Sequence, residues 1–233
     1  MTSTAGCART GAETARGPRR LADAARRFPC ASSLVLLAAA AAMLVPGASA
    51  ALEFDRGAAA SGQWWRVLTG HLAHFGWSHF LWDALAFAFL GTLCERDGRT
   101  RFLACLALAG VAIPLCVGAA HPEIRTYRGL SGLDSALFSL LAATIVREKI
   151  VVKQPAWAFA AGAVFLAFLA KVAYEAATGM TFFVDSAAAG MIPLPIAHVA
   201  GAAAGLLVGF GSVTPSAGAG PSPRDPAARR ASP

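Results

Sequence analysis

Charge is scarce in this chain. Of its 233 residues only 14% are Asp, Glu, Lys or Arg, against about 25% in an average globular protein. A disordered chain needs high charge and low hydrophobicity. Here 56% of residues are hydrophobic, so disorder is excluded for the body of the chain. The mean hydropathy of +0.56 also argues against a water-soluble enzyme. Cysteine is sparse as well. Cys7, Cys30, Cys94, Cys105 and Cys116 are scattered without a Cys-x-x-Cys pair, which excludes a disulfide framework and gives no metal or redox site. Cys105 and Cys116 lie in an apolar run, where free cysteine acts as a small hydrophobe. Long apolar runs, by contrast, are abundant. The chain reads as an all-α integral membrane protein.

A helix needs about 20 apolar residues to cross the hydrocarbon core. Six segments meet or approach that length: 32–52, 77–93, 102–120, 131–146, 156–178 and 192–213. They predict a six-helix transmembrane bundle over 31–213. Residues 1–30 are expected to be a basic disordered extension. Residues 214–233, rich in Pro, Ala, Gly and Ser, are expected to be a disordered tail. The first apolar run ends in Ala48-Ser49-Ala50, which resembles a signal-peptidase site. A long basic region before it, and an apolar run that continues to Leu52, favour a retained span.

The net charge of +7 reports topology. With the N-terminus in the cytoplasm, fifteen Lys and Arg fall on the cytoplasmic side and four outside, namely Arg56, Arg66, Arg125 and Arg128. The remaining one, Lys171, lies within the fifth span. That bias predicts that both termini are cytoplasmic. No basic stripe is interleaved with aromatics, so nucleic acid is not an expected partner. The bilayer is.

Ionisable groups inside spans are costly and mark functional sites. Ser131 opens the fourth span in YRGLSGLDSALFSLLA, and His198 lies early in the sixth in PLPIAHVAGAAAGLLVG. His74, His79 and Asp83 bracket the start of the second in GHLAHFGWSHFLWDALAF. All three spans enter from the outer face. A sixth span beginning at residue 192 puts His198 about 8–10 Å below its start, so the three groups share one outer layer.

A serine needs a neighbouring base to become a nucleophile, and histidine is the usual one. Gly129 and Gly132 let backbone amides approach an oxyanion closely, and the helix N-terminus at Ser131 adds positive partial charge. Gly201 and Gly205 after His198 form a small-residue seam. Ser131, Ser135 and Ser139 give the fourth span a similar face. Each motif alone also fits ordinary helix packing; their coincidence in one layer does not.

At these residues, over 63–209, the sequence resembles the rhomboid intramembrane serine proteases. Gly129-Leu130-Ser131-Gly132 resembles the family's GxSG motif, and Ala197-His198-Val199-Ala200-Gly201 its AHxxG motif. His74, His79 and Asp83 resemble its HxxxxHxxxN pattern, with aspartate in place of asparagine. Trp65-Arg66 and Gly91 with Glu95 match further family features. The resemblance implies a serine endopeptidase with Ser131 as nucleophile and His198 as general base. It implies no cofactor or metal, and membrane-anchored protein segments as substrates. It also implies a multi-pass protein of a bacterial inner or other cell membrane, whose site opens on the non-cytoplasmic side. The stretch 127–138 is further similar to rhombosortases, a subgroup associated with removing C-terminal membrane anchors.

Asp83 is the departure. In the family this position and the second histidine donate to the oxyanion beside the serine amide. An ionised aspartate cannot donate, so either a protonated Asp83 donates in asparagine's place, or a protonated His79 beside an ionised Asp83 does. Two rival functions remain on sequence grounds. One is a non-catalytic relative that binds membrane clients. The other is a small transporter using Asp83, His79 and Lys171, whose expected signature of internal repeats is missing. Asp134, three residues after Ser131, is a first-turn acid favoured by the helix dipole, or else an orienter of substrate or histidine. Lys171 and Glu175 are spaced to pair, or else Lys171 snorkels toward the outer interface. His71 and His74 invite a metal, but no acidic or cysteine partner and no HExxH motif completes a site. Trp64, Trp65 and Trp77 are expected as interfacial anchors.

Overall fold

Pro46 ends the first helix. In the computed structural model, which describes residues 28–181 and 192–211, helix α1 runs Cys30–Leu44. Val45 is extended (φ −87°, ψ 118°), as a residue before proline prefers, and Gly47 takes a left-handed φ of 79°. A separate short helix follows at Ala48–Leu52. The single span predicted over 32–52 is therefore corrected to a 15-residue helix and a turn. Hydropathy does not register that Pro46 lacks an N–H for the Ala42 carbonyl, which the Ser49 hydroxyl approaches instead at 3.5 Å. The basic extension predicted over 1–30 lies outside the described residues up to residue 27, and the tail predicted over 214–233 lies wholly outside them.

Residues 53–76 fold into short turns tied to a second loop. Strand β1 (Phe54–Asp55) pairs antiparallel with β2 (Thr126–Tyr127), Phe54 opposite Tyr127. Arg128 pairs with Glu53 at 2.5 Å and Arg125 with Asp55 at 2.9 Å. Arg56 donates to the carbonyls of Gly118 and His121, and Arg66 to those of Ala50 and Glu53. All four basic residues expected outside thus gather at one end of the bundle.

Helix α2 spans Trp77–Ala120, interrupted at Gly98 (φ −167°, ψ 92°). A straight helix would hold Asp83 and Ile113 about 45 Å apart. Both instead approach the same Ser131–Gly132 corner, so α2 is a hairpin of two helical arms, 77–97 and 99–120. The predicted spans 77–93 and 102–120 are these arms, but helix continues through most of the expected loop. Across the break at Gly98 the ion pairs Glu95–Arg99 (3.5 Å) and Asp97–Arg101 (3.0 Å) tie the two arms together.

Helix α3 runs Ser131–Val151, past the predicted end at Val146, and α4 runs Pro155–Thr178. Helix α5 runs Pro195–Phe210, starting later than the predicted 192 because Leu194 is not helical and Pro195 takes the first helical position. α3 is the buried centre, with Leu133, Ala136, Leu137 and Leu140 in the core. Two of its serines are satisfied within the helix, Ser135 donating to the Ser131 carbonyl and Ser139 to that of Ser135.

α5 packs against α3 without side chains between them. A Cβ on Gly201 would overlap the Gly132 carbonyl oxygen, one on Gly205 the Ala136 carbonyl oxygen, and one on Gly209 would come within 2.6 Å of the Ala143 Cβ. Small residues are what permit such backbone approach in a membrane bundle. α1 is pinned to α2 by a buried carboxylate. Glu95 accepts from the Ala31 amide (3.0 Å), the Ser32 amide (2.8 Å) and the Ser32 hydroxyl (2.5 Å), capping α1 at its positive end. α4 is peripheral, burying only Val172 and Glu175 and leaving Phe159 79% exposed. α2 and α4 are long and apolar enough to cross a membrane, and Leu81, Leu85, Phe89 and Leu166 also face outward. That apolar exterior belongs in lipid, not in water.

Candidate active site

Ser131 is the first residue of α3. The chain reaches it through Gly129, whose φ of 122° lies where side chains are strained. A Cβ there would also come within 2.9 Å of the His79 ring and 3.2 Å of Asp83 Oδ2. Gly129 is therefore required twice over. Its amide donates to the Gly70 carbonyl at 3.2 Å, which ties the turn to the first loop. Gly132 is needed for a different reason: a Cβ would meet Ile113 Cδ1 at 2.9 Å and the Ala197 carbonyl at 3.2 Å.

Below this turn lies Asp83. Its Oδ2 accepts the amides of Leu130 (2.9 Å) and Ser131 (3.1 Å). The Nε2 atoms of His74 and His79 approach the same oxygen at 3.4 and 3.2 Å. His74 packs edge-on against both Phe80 and His79, and Phe75 stacks on His79. The structure thus brings His74, His79, Asp83, Gly129 and Ser131 together, as the motif spacing anticipates. The direction of one bond is new: the Ser131 amide is aimed at the aspartate.

His198 lies in the first turn of α5. Because α5 begins at Pro195, His198 is only about 4.5 Å below its start. The 8–10 Å depth expected from a span starting at residue 192 is corrected accordingly. Its level matches Ser131 at the start of α3. Its Nδ1 lies 3.8 Å from Glu175 Oε2, while Glu175 pairs with Lys171 at 2.8 Å. The Lys171–Glu175 pair follows from the sequence spacing; the approach of Glu175 to His198 does not.

Ser131, His198, His79 and Glu175 line two cavities that meet at them. One, about 320 Å³, is bordered by Arg125, Arg128 and Glu123 on the charged end of the bundle. The other, about 770 Å³, is a mostly apolar slot between the first arm of α2 (Trp82, Leu85, Phe89) and α4 (Val164, Phe168). A basin at the charged end and an apolar slot therefore share the corner that holds Ser131. Asp134, in the first turn of α3, lines the slot with Ser131, and its Oδ1 has no hydrogen-bond partner among the described residues.

His71 and His74 do not converge. His71 Nε2 lies 3.0 Å from the Gly110 carbonyl and its ring meets Tyr127 edge-on, while His74 faces Asp83. Burial pushes the His71 imidazole below the usual histidine range, and its backbone contacts with Gly110 and Gly129 oppose this. Tyr127, which donates to the Gly129 carbonyl at 3.3 Å, was not singled out from sequence. Its only signal is its place in the loop leading to Gly129. Trp64, Trp65 and Trp77 are exposed at this end of the bundle.

Comparison with known proteins shows the family. A protein of Bacillus subtilis (strain 168) named "Putative rhomboid protease YdcA" is 32% identical over 82 residues, which cover 35% of this chain and 41% of that relative's length. The Rhomboid domain matches residues 61–214, more than half of the chain and all of the corner that holds Ser131 and His198. The chain belongs to the rhomboid family.

Proposed function

We propose that this protein is an intramembrane serine endopeptidase acting through a Ser131–His198 dyad. One observation carries the proposal. The glycine seam of α5 against α3 brings His198 to the level of Ser131, and both line the same two cavities. Ser131 attacks the scissile carbonyl while His198 takes its proton and returns it to the leaving amine. Water from the basin at the charged end then releases the acyl group. The developing oxyanion is held by the Ser131 amide and by His79. For that amide to turn toward substrate, its bond to Asp83 Oδ2 must be given up. The crowding of two histidine nitrogens around that oxygen supports His79, rather than Asp83, as the side-chain donor.

In this proposal α1, the two arms of α2, α3, α4 and α5 are six spans. Both termini are cytoplasmic, and the Ser131 corner opens on the other side. The charged end built from Arg56, Arg66, Arg125 and Arg128 is then the outer cap. Substrates are membrane-anchored protein segments that reach Ser131 from the apolar slot. The similarity of 127–138 to rhombosortases supports C-terminal sorting anchors among them.

A second reading, a non-catalytic relative that binds membrane clients, is favoured by the single fact that Asp83 engages the nucleophile's amide. A serine-reactive fluorophosphonate separates the two. The proposal expects labelling of wild type in membranes and none of Ser131→Ala; equal labelling of the two refutes it.

A further inference from the structure

His198 has two ring nitrogens and uses only one of them as a base. The other, Nδ1, is buried and makes no hydrogen bond among the described residues. An imidazole is a base at Nε2 only while Nδ1 carries the proton, and what Nδ1 bonds to decides the tautomer. A buried N–H without a partner also carries its full desolvation cost. An acceptor faces it across the helix interface: Oε2 of Glu175, 3.8 Å away. Glu175 is 2% exposed, and a carboxylate in that setting is rare unless it has a task. The same Oε2 takes the Lys171 ammonium at 2.8 Å from one turn earlier on α4.

We propose that Glu175 is the positioning residue for His198, so that the assembly is a Ser131–His198–Glu175 triad anchored by Lys171. The inference rests on the protease reading. The carboxylate accepts the Nδ1 hydrogen and holds the ring with Nε2 as its basic atom. At 3.8 Å the contact is longer than a hydrogen bond. Such bonds are often long in substrate-free enzymes and tighten in the complex. When Ser131 reacts, its proton moves to Nε2 and the Nδ1 proton stays on the ring. The imidazolium so formed stands beside a carboxylate, and the Nε2 proton leaves with the amine. The orienting acid comes from α4, the peripheral helix that also walls the slot.

The competing role for Glu175 is simply to neutralise Lys171. Fluorophosphonate labelling kinetics of the purified full chain in detergent separate the two, read as the maximal inactivation rate and the half-saturating probe concentration. For Glu175→Gln the triad predicts a maximal rate about 10²-fold lower, the lower end of what a positioned acid–base group contributes, at unchanged half-saturation. The double variant Lys171→Met/Glu175→Gln carries no uncompensated ammonium, so it folds even where the single variant does not. The triad predicts that it stays as slow as the single. Recovery of the wild-type rate in the double variant, or a wild-type rate in Glu175→Gln, overturns the inference. If wild type itself labels no faster than Ser131→Ala, the protease reading falls and takes the triad with it. That outcome is read on wild type alone and so cannot be confused with failure of Glu175.

Discussion

The carboxylate of Asp83 accepts the backbone amide of Ser131, 3.1 Å away and 48 residues distant in sequence. The amide that receives the oxyanion in the proposed mechanism is therefore already engaged by an acceptor. Replacing Asp83 with asparagine keeps an oxygen for the Leu130 amide and supplies an N–H, while removing a negative charge from beside the developing oxyanion. One oxyanion donor is worth about 10²- to 10³-fold in rate. Asp83→Asn is expected to label with fluorophosphonate about 10²-fold faster than wild type, the lower end of that range. A variant slower than wild type would show that the carboxylate serves the reaction.

The α3–α5 seam predicts a different phenotype. Gly205→Val forces a side chain into the Ala136 carbonyl, and overpacking a tight interface costs roughly 1–3 kcal/mol or more. Lower thermal stability in detergent and lost Ser131 labelling are expected together, because the seam both holds the bundle and sets the height of His198. A substitution at Gly162, where a Cβ meets nothing within 4 Å, is the control and leaves both unchanged.

Glu95 caps α1 through three hydrogen bonds. Glu95→Ala leaves buried donors unpaired, at about 1–3 kcal/mol. Ser32→Ala removes one bond and costs about 1 kcal/mol. Thermal unfolding should rank wild type above Ser32→Ala above Glu95→Ala. The labelling rate per folded molecule should change little, since Glu95 is remote from Ser131 along the first arm of α2.

His71 gives a pH signature of stability. Burial lowers its pKa below the unfolded value, so between the two the unfolded chain binds more protons than the folded one. Its contribution is then complete above about pH 6.5, the ordinary histidine value, and is lost as pH falls below it, until the folded pKa is reached. His71→Gln keeps a donor for the Gly110 carbonyl but cannot titrate. The fall in unfolding temperature between pH 7 and pH 5 should therefore be shallower in His71→Gln than in wild type. Parallel slopes would exclude His71 as the source.

Much of this molecule is legible in its sequence because the relevant signals are local. The arms of α2 and the helices α3 and α4 follow from runs of apolar residues. The seam follows from glycines at four-residue spacing. The departures from expectation are local too, and proline causes two of them: Pro46 shortens α1, and Pro195 starts α5 late and raises His198. The α2 hairpin reverses at Gly98, where a longer loop is expected, and the ion pairs Glu95–Arg99 and Asp97–Arg101 cross that break and tie its arms.

By itself the sequence determined that this chain belongs in a membrane, and which few polar residues share a layer. Hydropathy and periodicity are properties of neighbours along the chain, and they suffice for that. The tertiary structure alone decided how those residues face one another: that the Ser131 amide meets Asp83 and that Glu175 approaches His198. Such contacts join helices far apart in sequence, and their direction depends on the rotation and height of each helix. Backbone packing at Gly129, Gly132, Gly201 and Gly205 sets both.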